Sequence, residues 1–193
     1  PLLWKNGWPV AGEVFKEGTY EIESERRGYA LELAVDFVRM EYTRHRFWEK
    51  DDTPVVPLKS QTLEDVIGTW PQGKINVRIG DYMFRPHQKW TITAVPDGGG
   101  YLGGPYYKIV IEGTNRALAA TADAEVVTVP EFTGAPEQLW RIDQLTDGTY
   151  RIMPKEVPGT DKELVLVSVG DSTPSLGEFD MNSDNSKWNF RDH

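Results

Sequence analysis

Gln138-Leu139-Trp140-Arg141-Ile142, followed after a short turn by Asp147-Gly148-Thr149-Tyr150-Arg151-Ile152, decides the fold of this 193-residue chain. Apolar and polar residues alternate in both segments, the period of a strand with one buried face. The Trp phrase recurs as Gln88-Lys89-Trp90-Thr91-Ile92 and Ser186-Lys187-Trp188-Asn189-Phe190. The Tyr phrase recurs as Glu17-Gly18-Thr19-Tyr20-Glu21-Ile22 and Gly104-Pro105-Tyr106-Tyr107-Lys108-Ile109. A third, aliphatic phrase follows each Tyr phrase: Tyr29-Ala30-Leu31-Glu32-Leu33, Arg116-Ala117-Leu118-Ala119-Ala120 and Leu164-Val165-Leu166-Val167-Ser168. The Trp residues recur about 50 residues apart, a period that marks an internal repeat.

Each unit reads as a Tyr strand, an aliphatic strand, a further short strand and a Trp strand. One such unit cannot bury its apolar face, whereas three about a pseudo-threefold axis close a barrel and leave few open edges. The spacing therefore predicts an all-β fold, a β-trefoil of 12 strands, in which Trp188–Arg191 pairs with Tyr20–Glu23. The expected division is a single domain over 1–193: an arm at 1–16, a first repeat at 17–95, a second at 96–145 and a third at 146–193. The first repeat is the long one, running from Tyr20 to Trp90, so it carries an insertion at about 38–68. Within the insertion, Gln61–Ile67 reads as one or two helical turns with Ser60 as cap and Glu64 nearby. Gly98-Gly99-Gly100 with Gly103-Gly104 reads as a flexible hairpin loop, because no helix follows to make it a phosphate cradle.

Composition narrows the function. The chain carries 21 Lys and Arg against 30 Asp and Glu, a net charge of −9, which argues against general nucleic-acid binding. No apolar stretch approaches the roughly 20 residues of a membrane span, so no membrane insertion is expected. Cysteine is absent, which removes disulfide scaffolds, Cys-ligated zinc and thiol nucleophiles. Pro1-Leu2-Leu3-Trp4-Lys5 lacks the basic start and apolar run of a signal peptide, so a cytoplasmic location is the expectation, with secretion after processing as the alternative that would leave the same terminus. His45, His87 and His193 lack metal-ligand spacing, and no Gly-x-Ser-x-Gly, phosphate loop or dinucleotide fingerprint occurs. Neither an enzyme nor a metal or other cofactor is expected.

The thrice-repeated phrase, with Gln88 and Gln138 two residues before Trp and Ser186 in the same place before Trp188, resembles the ricin-B-type β-trefoil. The Gly-Thr-Tyr strand openers and the Cys-free acidic composition are similar to mushroom β-trefoil proteins, which include fruiting-body lectins and the protease inhibitors called mycocypins and cospins. The resemblance covers roughly 17–191. In ricin-type lectins the sugar partners are an Asp after the second strand, an aromatic on the third and a polar residue just before the Gln. The resemblance thus implies a site in the third repeat from Asp171, Phe179 and Asn185, with Asn182 on the same loop. In the second repeat it implies Asp123 and Glu137 with Phe132 as platform. Asp81, Tyr82 and His87 are the first-repeat counterparts. A structural role competes: each Trp fills the barrel, each Gln holds turn backbone, and Asp171 caps a plain turn.

The resemblance implies a carbohydrate-binding lectin with shallow sites, whose partners are glycans or glycoproteins and whose role is defensive. Free sugars should bind weakly, around millimolar, with avidity supplied by several sites or by a homodimer. Trp4 and Trp8 in the arm either pack on the domain or mark that oligomer contact. The alternative is a protease inhibitor acting through the insertion. There Arg44-His45-Arg46-Phe47-Trp48 is a basic and aromatic run suited to a protein interface, with Arg44, Arg46 and Trp48 entering the protease cleft.

Overall fold

The computed structural model describes residues 2–5, 8–11, 14–26, 29–35, 62–101, 104–170 and 172–192. Arg44, Arg46 and Trp48 of the inhibitor reading, the site residue Asp171 and the expected cap Ser60 lie outside the described residues, as do the side chains of Trp4 and Trp8. Strands β1 (Leu2–Lys5) and β2 (Trp8–Ala11) form a hairpin of their own. Twelve strands follow in three groups of four. The first group is β3 (Gly18–Ser24), β4 (Ala30–Leu33), β5 (Ile75–Gly80) and β6 (Trp90–Tyr101). The second is β7 (Gly104–Ile111), β8 (Ala117–Ala120), β9 (Val126–Val129) and β10 (Trp140–Gln144). The third is β11 (Tyr150–Pro154), β12 (Val165–Val169), β13 (Thr173–Gly177) and β14 (Trp188–Asp192).

The outer strands of each group, β3, β6, β7, β10, β11 and β14, pair antiparallel in a closed ring. The closing pair is β14 on β3, with Trp188 opposite Ser24 and Asp192 opposite Tyr20, as the repeat arithmetic requires. The inner strands form hairpins β4–β5, β8–β9 and β12–β13. Each repeat pairs its own Tyr with its own Trp: Tyr20 with Trp90, Tyr107 with Trp140 and Tyr150 with Trp188. This is a β-trefoil.

The three Trp side chains are wholly buried. Each indole N–H donates to a backbone carbonyl of the aliphatic strand in its own repeat: Trp90 to Leu31 at 2.8 Å, Trp140 to Leu118 at 2.9 Å and Trp188 to Leu166 at 2.9 Å. A buried indole that keeps a hydrogen bond contributes its large apolar area without leaving an unpaired donor. These bonds tie the barrel to the hairpins above it. The hairpins also clasp one another. Ile79 N–H in β5 donates to Ser172 O at the tip of β12–β13, and Leu176 N–H in β13 donates to Ala124 O at the tip of β8–β9, both at 2.9 Å. Thr128 in β9 pairs with Ile75 in β5 and donates its hydroxyl to Ile75 O.

At the end of the barrel where β3 begins, Phe15 is buried among Tyr20, Tyr107, Tyr150 and Phe190, with ring centroids 4.6 to 5.7 Å away. Tyr107 donates its hydroxyl to Phe15 O at 2.9 Å, and Tyr20 donates to Lys16 O at 2.6 Å. Burial pushes the Tyr107 phenol up to about 12. A residue of the expected arm is thus a core residue: its carbonyl is held by Tyr107, that of the adjacent Lys16 by Tyr20, and its ring packs on the equivalent tyrosine of all three repeats.

Two local expectations are corrected. The helix α1 spans Leu63–Gly68 and is capped by Thr62 and Asp65, not by Ser60 and Glu64. Thr62 Oγ1 accepts from Asp65 N–H while Asp65 Oδ2 accepts from Thr62 N–H, the reciprocal arrangement that needs cap and partner three residues apart. The glycine run is not a loose loop: β6 and β7 continue as a ribbon to Tyr101 and from Gly104, with a register shift between Val95 and Gly100. Gly99 turns the bulge at φ 89°, and a Cβ at Gly100 would lie 2.5 Å from Gly104 O, so the close strand approach needs glycine.

Candidate functional site

Each Trp strand is entered through a short 3-10 turn: Pro86–Gln88, Pro136–Gln138 and Asp184–Ser186. Gln88 Oε1 accepts from Met83 N–H at 2.8 Å, and its Nε2 donates to Asp81 O at 2.8 Å. Gln138 Oε1 accepts from Thr133 N–H at 2.7 Å. Ser186 Oγ, shorter by two bonds, donates to Asp180 O at 3.1 Å and does the same work. These buried side chains hold the preceding loops, and each loop carries an aromatic at the same place, Tyr82, Phe132 or Phe179, the first loop adding the exposed Phe84 against Tyr82.

Beneath each aromatic lies the residue that follows the repeat's Tyr. Lys108 Nζ is 5.3 Å from the Phe132 ring centroid, and the Arg151 guanidinium is 5.0 Å from that of Phe179. Arg151 is fixed in turn by Asp143, whose Oδ2 also accepts from Arg141 Nε, both at 2.7 Å. Such cation–π contacts hold the ring in place while occupying part of one face. In the first repeat the cation is replaced by Glu21, which is 1% exposed. Burial pushes the Glu21 carboxyl up, Glu23 adds to the rise and Arg191 opposes it. The Tyr82 hydroxyl is also raised, first by burial and then by Glu21.

The first repeat turns its polar groups inward. His87, in the turn position equivalent to Glu137 and Asn185, is buried with Nε2 2.5 Å from Glu32 Oε2, and Arg78 Nε lies 3.6 Å from Glu32 Oε1. Gly80 makes room, since a Cβ there would overlap the Glu32 carboxylate. A histidine so enclosed cannot serve a ligand at the surface. The turn position alone did not disclose this, because Glu32 sits in an otherwise aliphatic phrase.

In the third repeat, Phe179, Asn182 and Asn185 share the stretch between β13 and β14. Phe179 and Asn185 are half-buried and Asn182 is exposed. Asn182 N–H donates to Asp180 Oδ1, and Asn185 N–H donates to Ser183 Oγ. Their side-chain amides have no hydrogen-bond partner among the described residues. Asp171 lies outside the described residues; its neighbours are fastened to the first repeat, Gly170 O accepting from Arg26 and Ser172 O from Ile79. In the second repeat, Asp123 is exposed at the tip of β8–β9 beside Ala124, which adopts φ 56°. Glu137 is half-buried in its 3-10 turn, and no hydrogen bond joins it to Asp123.

Among the described residues, two concavities of about 380 Å³ open elsewhere. The shallower is floored by Thr91, Thr93 and Lys108. The other lies between the β6–β7 ribbon and residues 153–163, with Tyr101, Tyr106 and Arg141 on one side. None of the residues expected to bind sugar lines either one. The sequence signal for the deeper cleft is the pair of tyrosines, Tyr101 and Tyr106, that flanks the end of the glycine run.

Residues 86–174 match the family described as ricin-type β-trefoil lectin domain-like. No curated protein matches the chain. Among solved structures, the designed threefold-symmetric protein ThreeFoil aligns with a TM-score of 0.60 at 19% identity, covering 91% of this chain and 99% of that one. A lectin of Polyporus squamosus, bound to a human-type influenza-binding epitope, aligns at 0.59 and 15% identity over 93% of this chain and 50% of that one. A mosquitocidal holotoxin aligns at 0.62 and 14% identity, but the chain spans only 18% of its length. Strand order, closed ring and these likenesses agree: the chain is a β-trefoil in which residues 86–174, from the last turn of the first repeat into the third, match a ricin-type lectin-like domain.

Proposed function

We propose that the protein is a carbohydrate-binding lectin module without catalytic function, recognising glycans through shallow surface sites of which the third repeat carries the best formed. The observation behind this reading is the stretch from Phe179 to Asn185. A ring held by Arg151 shares one stretch of chain with two side-chain amides that no group among the described residues engages, the kinds of apolar platform and polar partner that small-ligand sites combine. The lectin-like match over residues 86–174 and the lectin among the similar structures support it. Two glycosidases also align, and the chain covers 33% and 31% of their lengths, consistent with a binding module beside a catalytic one.

The test is a glycan array probed with labelled protein, followed by Asn185→Ala. We expect a coherent family of bound glycans and a loss of at least about fivefold in affinity, roughly 1 kcal/mol, when the amide is removed. An array blank at high protein concentration would sink the reading.

A further inference from the structure

We propose that the cleft between the β6–β7 ribbon and residues 153–163 is a separate binding site for neutral sugars. This rests on the lectin reading but places recognition at residues distinct from the turn before Trp188. The cavity of about 380 Å³ is at the small end of the roughly 300–1,000 Å³ range for ligand pockets, suited to one or two sugar rings.

Its walls are built before any ligand arrives. The Arg141 guanidinium stacks on Tyr101 at 3.6 Å from the ring centroid, and Asp143 holds Arg141 in turn. Lys155 Nζ stands 5.1 Å from the Tyr106 ring and donates to Gly98 O at 2.7 Å, which pins the glycine bulge against the third repeat. Lys155 N–H is bonded to Leu139 O. The opposite lip is a folded loop, closed by a bridge between Val157 and Thr160 with Gly159 at φ 80°. Tyr101 nevertheless remains 43% exposed, so a backed ring still presents surface to the cleft.

The charges decide the class of ligand. Arg141 is paired with Asp143, whereas the partners of Lys155, a ring and a carbonyl, carry no charge, so Lys155 and Lys162 are the cations the cleft presents. Glu156, Asp161 and Glu163 are exposed and have no ion pair or hydrogen bond to their side chains among the described residues. Three uncommitted carboxylates against two ammoniums favour a ligand that offers many hydroxyl donors and an apolar C–H face, and they disfavour one that brings its own negative charge. A neutral sugar meets both requirements, whereas a sialylated or uronic-acid sugar fails the second.

The experiment uses the full chain with lactose, galactose, glucose, mannose and N-acetylglucosamine as neutral probes and sialyllactose as the acidic one, read by ligand-observed NMR and titration calorimetry. Tyr101→Ala and, independently, Asp161→Asn should each weaken the best neutral probe at least tenfold, with thermal unfolding confirming that both variants fold. The double change Glu156→Gln with Glu163→Gln should raise affinity for sialyllactose relative to its neutral parent. Binding that survives Tyr101→Ala and Asp161→Asn but disappears in Asn185→Ala overturns the cleft and leaves the lectin reading standing. Tighter binding of sialyllactose than of lactose by the unaltered protein overturns the charge argument. If no neutral probe binds while the array shows hits, the cleft falls and the module does not; a blank array removes both.

Discussion

At Asp147 three donors converge on one carboxylate: the Thr149 hydroxyl at 2.6 Å, Thr149 N–H at 3.0 Å and Lys187 Nζ at 3.0 Å. Together they hold its carboxyl down to about 2. A carboxylate depressed in the folded state stabilises the fold above its unfolded value near 4, and that contribution is lost as pH falls toward 2. Asp147→Asn should therefore be less stable than the parent at pH 7, and the gap should close by about pH 2. Urea denaturation at the two pH values measures this, and a gap independent of pH would refute it. Glu21 shows the reverse sign, since its raised carboxyl favours the fold in acid and loses that advantage as pH rises through its folded value.

Strand β5 shows how one element can refuse a side chain. A methyl at Gly80 would collide with the carboxylate that Glu32 aligns to His87 and Arg78. Gly80→Ala should lower stability by about 1–3 kcal/mol, the usual range for overpacking a filled interior. Chemical denaturation checks the value, and an unchanged midpoint would mean that Glu32 swings aside freely. At this scale the strands were legible in the sequence because Tyr and Trp recur in phase with alternating residues. The turn roles of Gln88 and Gln138 were legible too, since an amide beside a turn has backbone groups within reach. The two misread elements share a cause. Thr62 and Ser60 are both good caps, and a glycine run serves a bulged ribbon as well as a loop, so neighbouring structure settles what local chemistry leaves open. The candidate site was legible only as a turn position. That His87 is enclosed while Asn185 is not depends on Glu32, distant in sequence and in a phrase otherwise of aliphatic residues.

For the whole molecule, the ring of six strands leaves a hole on its axis that side chains must fill, and Phe15 fills one end of it. Phe15→Ala removes a ring packed against four others, so we expect a loss of about 3–5 kcal/mol and a lower unfolding temperature. A cost below about 1 kcal/mol in urea would show that the segment before β3 is a bystander. The clasp among the three hairpins has a consequence of a different kind. The second hairpin rests its tip on the third, the third on the first, and the first lies along the second, so the contacts run in one rotational sense with neither a leader nor a last member. Like the overlapped flaps of a folded carton, none of them can lift alone. Amide protons in strands β5, β9 and β13 then share a single opening event, and the three repeats, separate in sequence, become one kinetic unit at their cap.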